Sequence, residues 1–287
     1  MASPAHNDSH PPVLEAAPQG VVYSGTGEFY VAEAIRSARS SLRHNPIPHL
    51  LFADGETTGM PGLTVARFEP SGNPYIDKIA NMRRSPFERT LYLDSDTFIV
   101  EEIVHLLALL DNYDLAVAFA PAYRGLDDPG VPKAFHEFNT GVLAWRRSER
   151  TAAFLASWEE TYAAWLTEEP FPGASKASRS RRADQPAFRR CAWEHGLSVF
   201  VLSPEYNFRL GYPATVIDRV RVIHGDHRDP EGLAARINQR EGVRSWPPPL
   251  TPREKVMRRL RKAVGRPPRP PETPRVPSRD PGEAETA

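Results

Sequence analysis

Short runs of consecutive apolar residues alternate along this chain with longer stretches in which apolar positions recur every three or four residues. The runs fall at 21–23, 49–53, 63–68, 91–93, 114–119, 138–147, 197–202 and 221–225. Each has the length of a strand, and the near-continuous apolar character is that of strands covered on both faces. Between them, Phe29, Ala32, Ala34, Ile35, Ala38 and Leu42 share one face of a helix, and residues 75–85 carry Ile76, Ile79, Ala80 and Met82 inward. Further helices are expected at 101–110 and 150–166, the second with Phe154, Leu155, Trp158, Tyr162 and Trp165 as its apolar side. Strands alternating with helices predict an α/β fold with a mainly parallel sheet flanked by helices.

Proline placement sets the boundaries. Of the 30 prolines of the 287 residues, 15 crowd into the stretches before position 20 and after position 246, where large apolar side chains are scarce and cannot offset the entropy of ordering. A single folded domain is therefore expected at 21–244, between a disordered segment 1–20 and a proline-rich tail 245–287. Formal net charge is zero, which argues against a general nucleic-acid binder. The single cysteine, Cys191, cannot form an internal disulfide, so a reducing, cytoplasmic setting is expected. No apolar run reaches the length of a membrane span.

The chemistry centres on Leu91-Tyr92-Leu93-Asp94-Ser95-Asp96-Thr97-Phe98-Ile99-Val100, where two carboxylates interrupt an apolar run. Read as one extended segment, positions 94 and 96 share a face and can hold one hard divalent cation, which in turn can hold a phosphate. A solvated Asp-Ser-Asp turn is the plainer alternative. Val21-Val22-Tyr23 runs into Ser24-Gly25-Thr26-Gly27, a strand and glycine-rich turn that lacks both the third glycine of a dinucleotide site and the Gly-Lys-Ser/Thr of a P-loop. Ligands of open parallel sheets bind outside the carboxyl ends of strands, where Tyr23, Thr26, Asp54 and Asp94 are expected.

Each remaining candidate has a structural alternative. Lys78, Arg83 and Arg84 can meet a phosphate or form the wet face of their helix. Asn139-Thr140-Gly141 can admit a ligand to the backbone or simply turn the chain. Asp184 can cap the helix that contains Pro186. His224, followed by Gly225-Asp226-His227-Arg228, can be a third metal ligand or an ordinary strand end. Residues 168–182 form a long loop, a candidate lid with Lys176, Arg179, Arg181 and Arg182. In the tail, Val256, Met257, Leu260 and Val264 at helical spacing among Arg258, Arg259, Arg261 and Lys262 suggest a short basic helix able to touch an anionic membrane face.

In this order, Ser24-Gly25-Thr26, Lys78, Asp94-Ser95-Asp96, Asn139-Thr140-Gly141, Asp184-Gln185 and His224-Gly225 resemble the nucleotide-sugar glycosyltransferases of the GT-A fold, and most the family of glycogenin and the bacterial lipopolysaccharide galactosyltransferases. The resemblance implies a mixed, mainly parallel sheet and transfer of a sugar from a UDP-sugar donor to a hydroxyl acceptor with retention. It implies that Asp94, Asp96 and His224 ligate Mn²⁺ or Mg²⁺, that Tyr23, Thr26 and Asp54 lie near the nucleoside, and that Lys78, Asn139, Asp184 and Gln185 face the donor sugar. The family's histidine is followed by a glycine and then Lys-Pro-Trp. Here the chain reads His224-Gly225-Asp226-His227-Arg228-Asp229-Pro230, so the diphosphate-holding lysine has no match and Arg228 is its candidate replacement. Two other functions compete: a nucleotidyltransferase, whose basic residue after the glycines is replaced here by Glu28, and a silent sugar-nucleotide-binding protein.

Overall fold

The computed structural model describes residues 17–120, 128–168, 183–225, 227–240 and 242–246, with helical positions 256 and 260. The candidate lid 168–182, apart from Glu168, and the rest of the basic stretch 252–264 lie outside the described residues. The chain divides into two units, Met1–Pro248 and Pro249–Ala287. In the second, Val256 and Leu260 are exposed.

In the first unit, β1 (Gln19–Gly25) turns through Gly27, whose φ of 87° favours glycine, into α1 (Glu28–Leu42). Then come β2 (His49–Ala53), β3 (Leu63–Arg67), α2 (Pro74–Arg83), β4 (Arg89–Leu93) and β5 (Thr97–Ile99). A 3-10 segment, Val104–Asp111, stands where an α-helix was expected and leads to β6 (Leu115–Phe119) and β7 (Phe138–Arg146). After α3 (Glu149–Trp165) and α4 (Gln185–Glu194) come β8 (Val199–Leu202), β9 (Phe208–Arg209), β10 (Ala214–Val216), β11 (Val222–His224), α5 (Pro230–Asn238) and β12 (Arg244–Trp246). The strands described run from Gln19 to Trp246.

Seven strands form one sheet in the order β3-β2-β1-β4-β7-β6-β8. All pairs are parallel except those of β7, which runs antiparallel to both β4 and β6. The expected α/β class and mixed, mainly parallel sheet are what the structure has. On one face lie α2, α3 and α4, with Ile79, Phe154, Trp158 and Phe188 buried against Tyr92 and Leu143. On the other lie α1 and the 3-10 segment, with Ala34, Leu107 and Leu110 against Leu91 and Leu93. Burying each large apolar side chain contributes about 1.5–3 kcal/mol.

One expectation fails at the centre. Residues 98–100 do not continue the 91–93 strand: Asp94-Ser95-Asp96 is a turn, closed by Thr97 N–H donating to the Asp94 carbonyl at 3.1 Å, and β5 joins a second sheet, β5-β11-β9. The turn is pinned from α1, where the hydroxyls of Ser37 and Thr97 meet at 2.7 Å and Ile99 N–H donates to Ser40 at 2.9 Å. Two rows cross the small sheet. Phe98, Ile223 and Phe208 pair and face a third apolar cluster with Leu233 and Ile237, so by alternation Thr97, His224 and Arg209 face the large sheet.

Candidate active site

A crevice of about 560 Å³ opens beyond the carboxyl ends of β1 and β4. Because β7 is antiparallel, its beginning rather than its end reaches this place. Leu93 pairs with Val142, and Asp94 N–H donates to the Gly141 carbonyl at 2.8 Å. Asn139, Thr140 and Gly141 therefore meet the Asp94 turn inside the sheet, not in a loop before it. Gly141 is required by packing: a Cβ there would overlap His224 Cε1 and stand 2.7 Å from Asp94 Oδ2.

Asp94, Asp96 and His224 each turn one ligand atom inward, all within 4.8 Å of one another. His224 Nε2 is 3.2 Å from Asp96 Oδ1 and 3.7 Å from Asp94 Oδ2. A chain of hydrogen bonds fixes what that nitrogen carries. Gly141 N–H donates to Asn139 Oδ1 at 3.3 Å, which forces the Asn207 amide nitrogen to be the donor to the same oxygen at 2.8 Å. Asn207 Oδ1 is then an acceptor, so His224 Nδ1 carries a proton and donates to it at 2.6 Å. The lone pair of Nε2 faces two carboxylates. That arrangement calls for a positive charge between them, either a second ring proton or a metal cation. Burial pushes the Asp96 carboxyl up, but with a second proton on the His224 ring the hydrogen bond from Nε2 and the charges of His224 and Arg209 outweigh burial and hold it at about 2.

Lys78 is not on a wet face. Asn73 caps α2, accepting from Tyr75 and Ile76 N–H at 2.9 and 3.3 Å, and the helix then sets Lys78 inward, 6 % exposed. Its ammonium donates to Asp94 Oδ1 at 2.8 Å and Thr140 Oγ1 at 3.0 Å, stands 3.8 Å from Asp184 Oδ2, and lies over the Tyr92 ring. Burial opposes its charge, but Asp94 and Asp184 outweigh burial and raise its pKa. Arg83 pairs with Glu159 on the surface and Arg84 lies over the Phe52 ring, so neither enters the crevice.

Asp184 occupies the N-cap position of α4 without capping it. Its carboxylate accepts from Thr140 at 3.2 Å inside the crevice wall, where burial pushes its pKa up and Lys78 lowers it only in part. Gln185 lines the crevice with its amide nitrogen directed at the Phe138 carbonyl, 3.0 Å, and Glu137 Oε1, 3.3 Å. Thr26 also lines it, its hydroxyl donating to Asp77 at 3.0 Å.

Three expected residues do not join them. The Tyr23 side chain alternates to the opposite face of β1 and is wholly buried against the His49 ring; burial pushes its phenol well up. Asp54 braces the glycine turn by accepting Gly27 N–H at 2.7 Å and is not part of the crevice wall. Arg228 is exposed outside that wall.

Other wall residues escaped the sequence reading. Phe29, expected on the buried face of α1, is 70 % exposed at the crevice mouth, edge-on to Tyr30. Glu137, Arg209 and Tyr212 line the crevice as well. Their place depends on pairings between distant strands that no local pattern reveals.

The fold and site together define an α/β protein with a polar crevice at the strand ends and an Asp-Asp-His cluster able to hold a divalent cation. No protein-family profile and no curated protein matches the chain. Among solved structures it is similar to the galactosyltransferase LgtC in complex with donor and acceptor sugar analogs, at 15 % identity over 73 % of this chain and 90 % of that one, with a TM-score of 0.48. It is likewise similar to an active-site mutant of LgtC, at 14 % identity, the same coverages and the same TM-score.

Proposed function

We propose that this protein is a metal-dependent glycosyltransferase of the GT-A type that moves a sugar from a UDP-sugar to a hydroxyl acceptor, with retention. The observation that carries this reading is the oriented relay Gly141–Asn139–Asn207–His224, which aims a ring lone pair between two carboxylates at the mouth of a crevice. Two carboxylate oxygens and an imidazole nitrogen fit Mn²⁺ better than Mg²⁺, which prefers an all-oxygen octahedron. When bound, such a cation supplies Lewis-acid stabilisation of a departing diphosphate, worth several kcal/mol.

The chain's own residues supply the rest. Lys78 holds Asp94 in one orientation and offsets its charge next to Asp184. Asp184 and Gln185, side by side in the wall, face a donor sugar with one carboxylate and one carboxamide. Asn139 is committed to the relay, so its part is to orient His224 rather than to touch the sugar. The exposed Phe29 and Tyr30 rings, set nearly perpendicular to each other, each offer an aromatic face for a nucleobase. Among the described residues no side chain stands out as a dedicated nucleophile, in keeping with a front-face displacement in which the leaving phosphate takes the acceptor proton.

The test is a panel of UDP-sugars with Mn²⁺, read as UDP release, run beside UTP with sugar 1-phosphates, read as pyrophosphate. The expected result is UDP release from one donor, abolished by EDTA and reduced at least about 100-fold by Asp96→Asn, on the scale of a lost electrostatic stabiliser. Pyrophosphate release, or UDP release untouched by EDTA, would overturn the proposal.

A further inference from the structure

We propose that Arg209, not Arg228, is the cation that grips the diphosphate beside the Asp-Asp-His cluster. The inference rests on the reading above in so far as the ligand carries a diphosphate. Arg209 pairs in register with His224 across β9 and β11, so both side chains leave the small sheet toward the crevice. Its guanidinium is half-buried and makes no hydrogen bond or ion pair among the described residues. The face of Tyr212 lies 5.6 Å away, and the guanidinium charge acts on the nearby Asp96 carboxylate without a hydrogen bond to it. A partly desolvated guanidinium whose N–H groups lack hydrogen-bond acceptors is costly, and an anionic ligand in the crevice supplies those acceptors.

Among the described wall residues, the other cationic side chain, Lys78, cannot serve. Lys78 is spent on Asp94, Asp184 and Thr140, so no charge is left for a ligand. Asp94, Asp96, Asp184 and Glu137 make the described wall acidic, and a diphosphate would add more negative charge to it. A metal cation and the free guanidinium, next to each other along one row, are the two groups that offset it. The planar fork of an arginine spans two phosphate oxygens, which suits a diphosphate more than a single phosphate ester.

The experiment measures binding of UDP, UMP and inorganic pyrophosphate in the presence of Mn²⁺ by calorimetry, to the wild type and to Arg209→Ala, Arg209→Lys and Arg228→Ala, with thermal unfolding of each as a control. Arg209→Ala is expected to weaken UDP and pyrophosphate about 10- to 100-fold and UMP less than about 3-fold, as for one lost charge-assisted contact. Arg209→Lys should fall between, and Arg228→Ala should match the wild type. If Arg209→Ala binds UDP like the wild type, weakens UMP equally, or unfolds at a markedly lower temperature together with Arg209→Lys, the proposal fails. Loss of UDP binding in Arg228→Ala would also overturn it. Pyrophosphate binding that depends on Arg209, without UDP binding, would leave this inference standing and remove the UDP-sugar reading. If the wild type binds neither, both are wrong.

Discussion

Asn207 touches no candidate ligand atom, yet it decides which nitrogen of His224 is free. Its carboxamide receives the imidazole proton on one side and donates to Asn139 on the other. Asn207→Ala removes that acceptor, and outer partners of metal-bound histidines are worth about 10- to 100-fold in affinity. A Mn²⁺ titration followed by EPR should show a loss of that size with little change in unfolding temperature. Gly141→Ala should behave differently. The added methyl must displace His224 or Asp94, so it lowers both metal affinity and stability, the latter by about 1–3 kcal/mol. Asp94, Asp96 and His224 were legible in the sequence because charged or titratable types interrupt apolar runs there. Tyr23 was misplaced because a strand offers two faces, and which one meets the crevice depends on the sheet around it.

At the scale of elements, apolar runs marked every strand of the large sheet and apolar periodicity marked α1, α2 and α3, whereas α4 was read from Asp184 and Pro186 and α5 was not foreseen. The runs failed where one of them hides a turn: nothing in Leu93 to Phe98 except the two carboxylates announces that the chain leaves one sheet for another. Nor does sequence periodicity show that the buried face of α1 includes Ser37, Ser40 and Ser41, which hold the next strand and the turn by hydrogen bonds. A second clamp ties the start of β6 to the start of β8, the edge of the sheet. Asp114 accepts from Ser198 N–H at 2.9 Å and from its hydroxyl at 3.0 Å, with Arg150 at 3.4 Å. Burial works against this carboxylate, but those donors outweigh it and hold its pKa below the ordinary value. The folded state therefore binds fewer protons here than the unfolded chain. The stabilisation is complete above the ordinary carboxylate pKa of about 4 and fades as pH falls below it. Asp114→Ala should cost about 1–3 kcal/mol at neutral pH, and the gap from wild type in urea unfolding should narrow on acidification below about pH 4. A gap that widens with acid would contradict this assignment.

For the first unit as a whole, the order of strands does what no single segment can. Inserting β7 antiparallel between β4 and β6 brings Asn139, Thr140 and Gly141 to the carboxyl end of β4, and the small sheet returns His224 and Arg209 to the same place from far along the chain. A run of residues reports its own burial but not its neighbour, so the sequence could offer Arg228 by proximity to His224 and could not offer Arg209. The proposed function requires a cation held by the two carboxylates and Nε2 of His224 and facing the phosphates of a donor. Pulsed EPR of bound Mn²⁺ reads both directly. The prediction is one imidazole nitrogen coupling in the wild type, absent in His224→Ala, and a phosphorus coupling that appears when UDP is added. Bound Mn²⁺ without nitrogen coupling, or with no phosphorus coupling at saturating UDP, would contradict it.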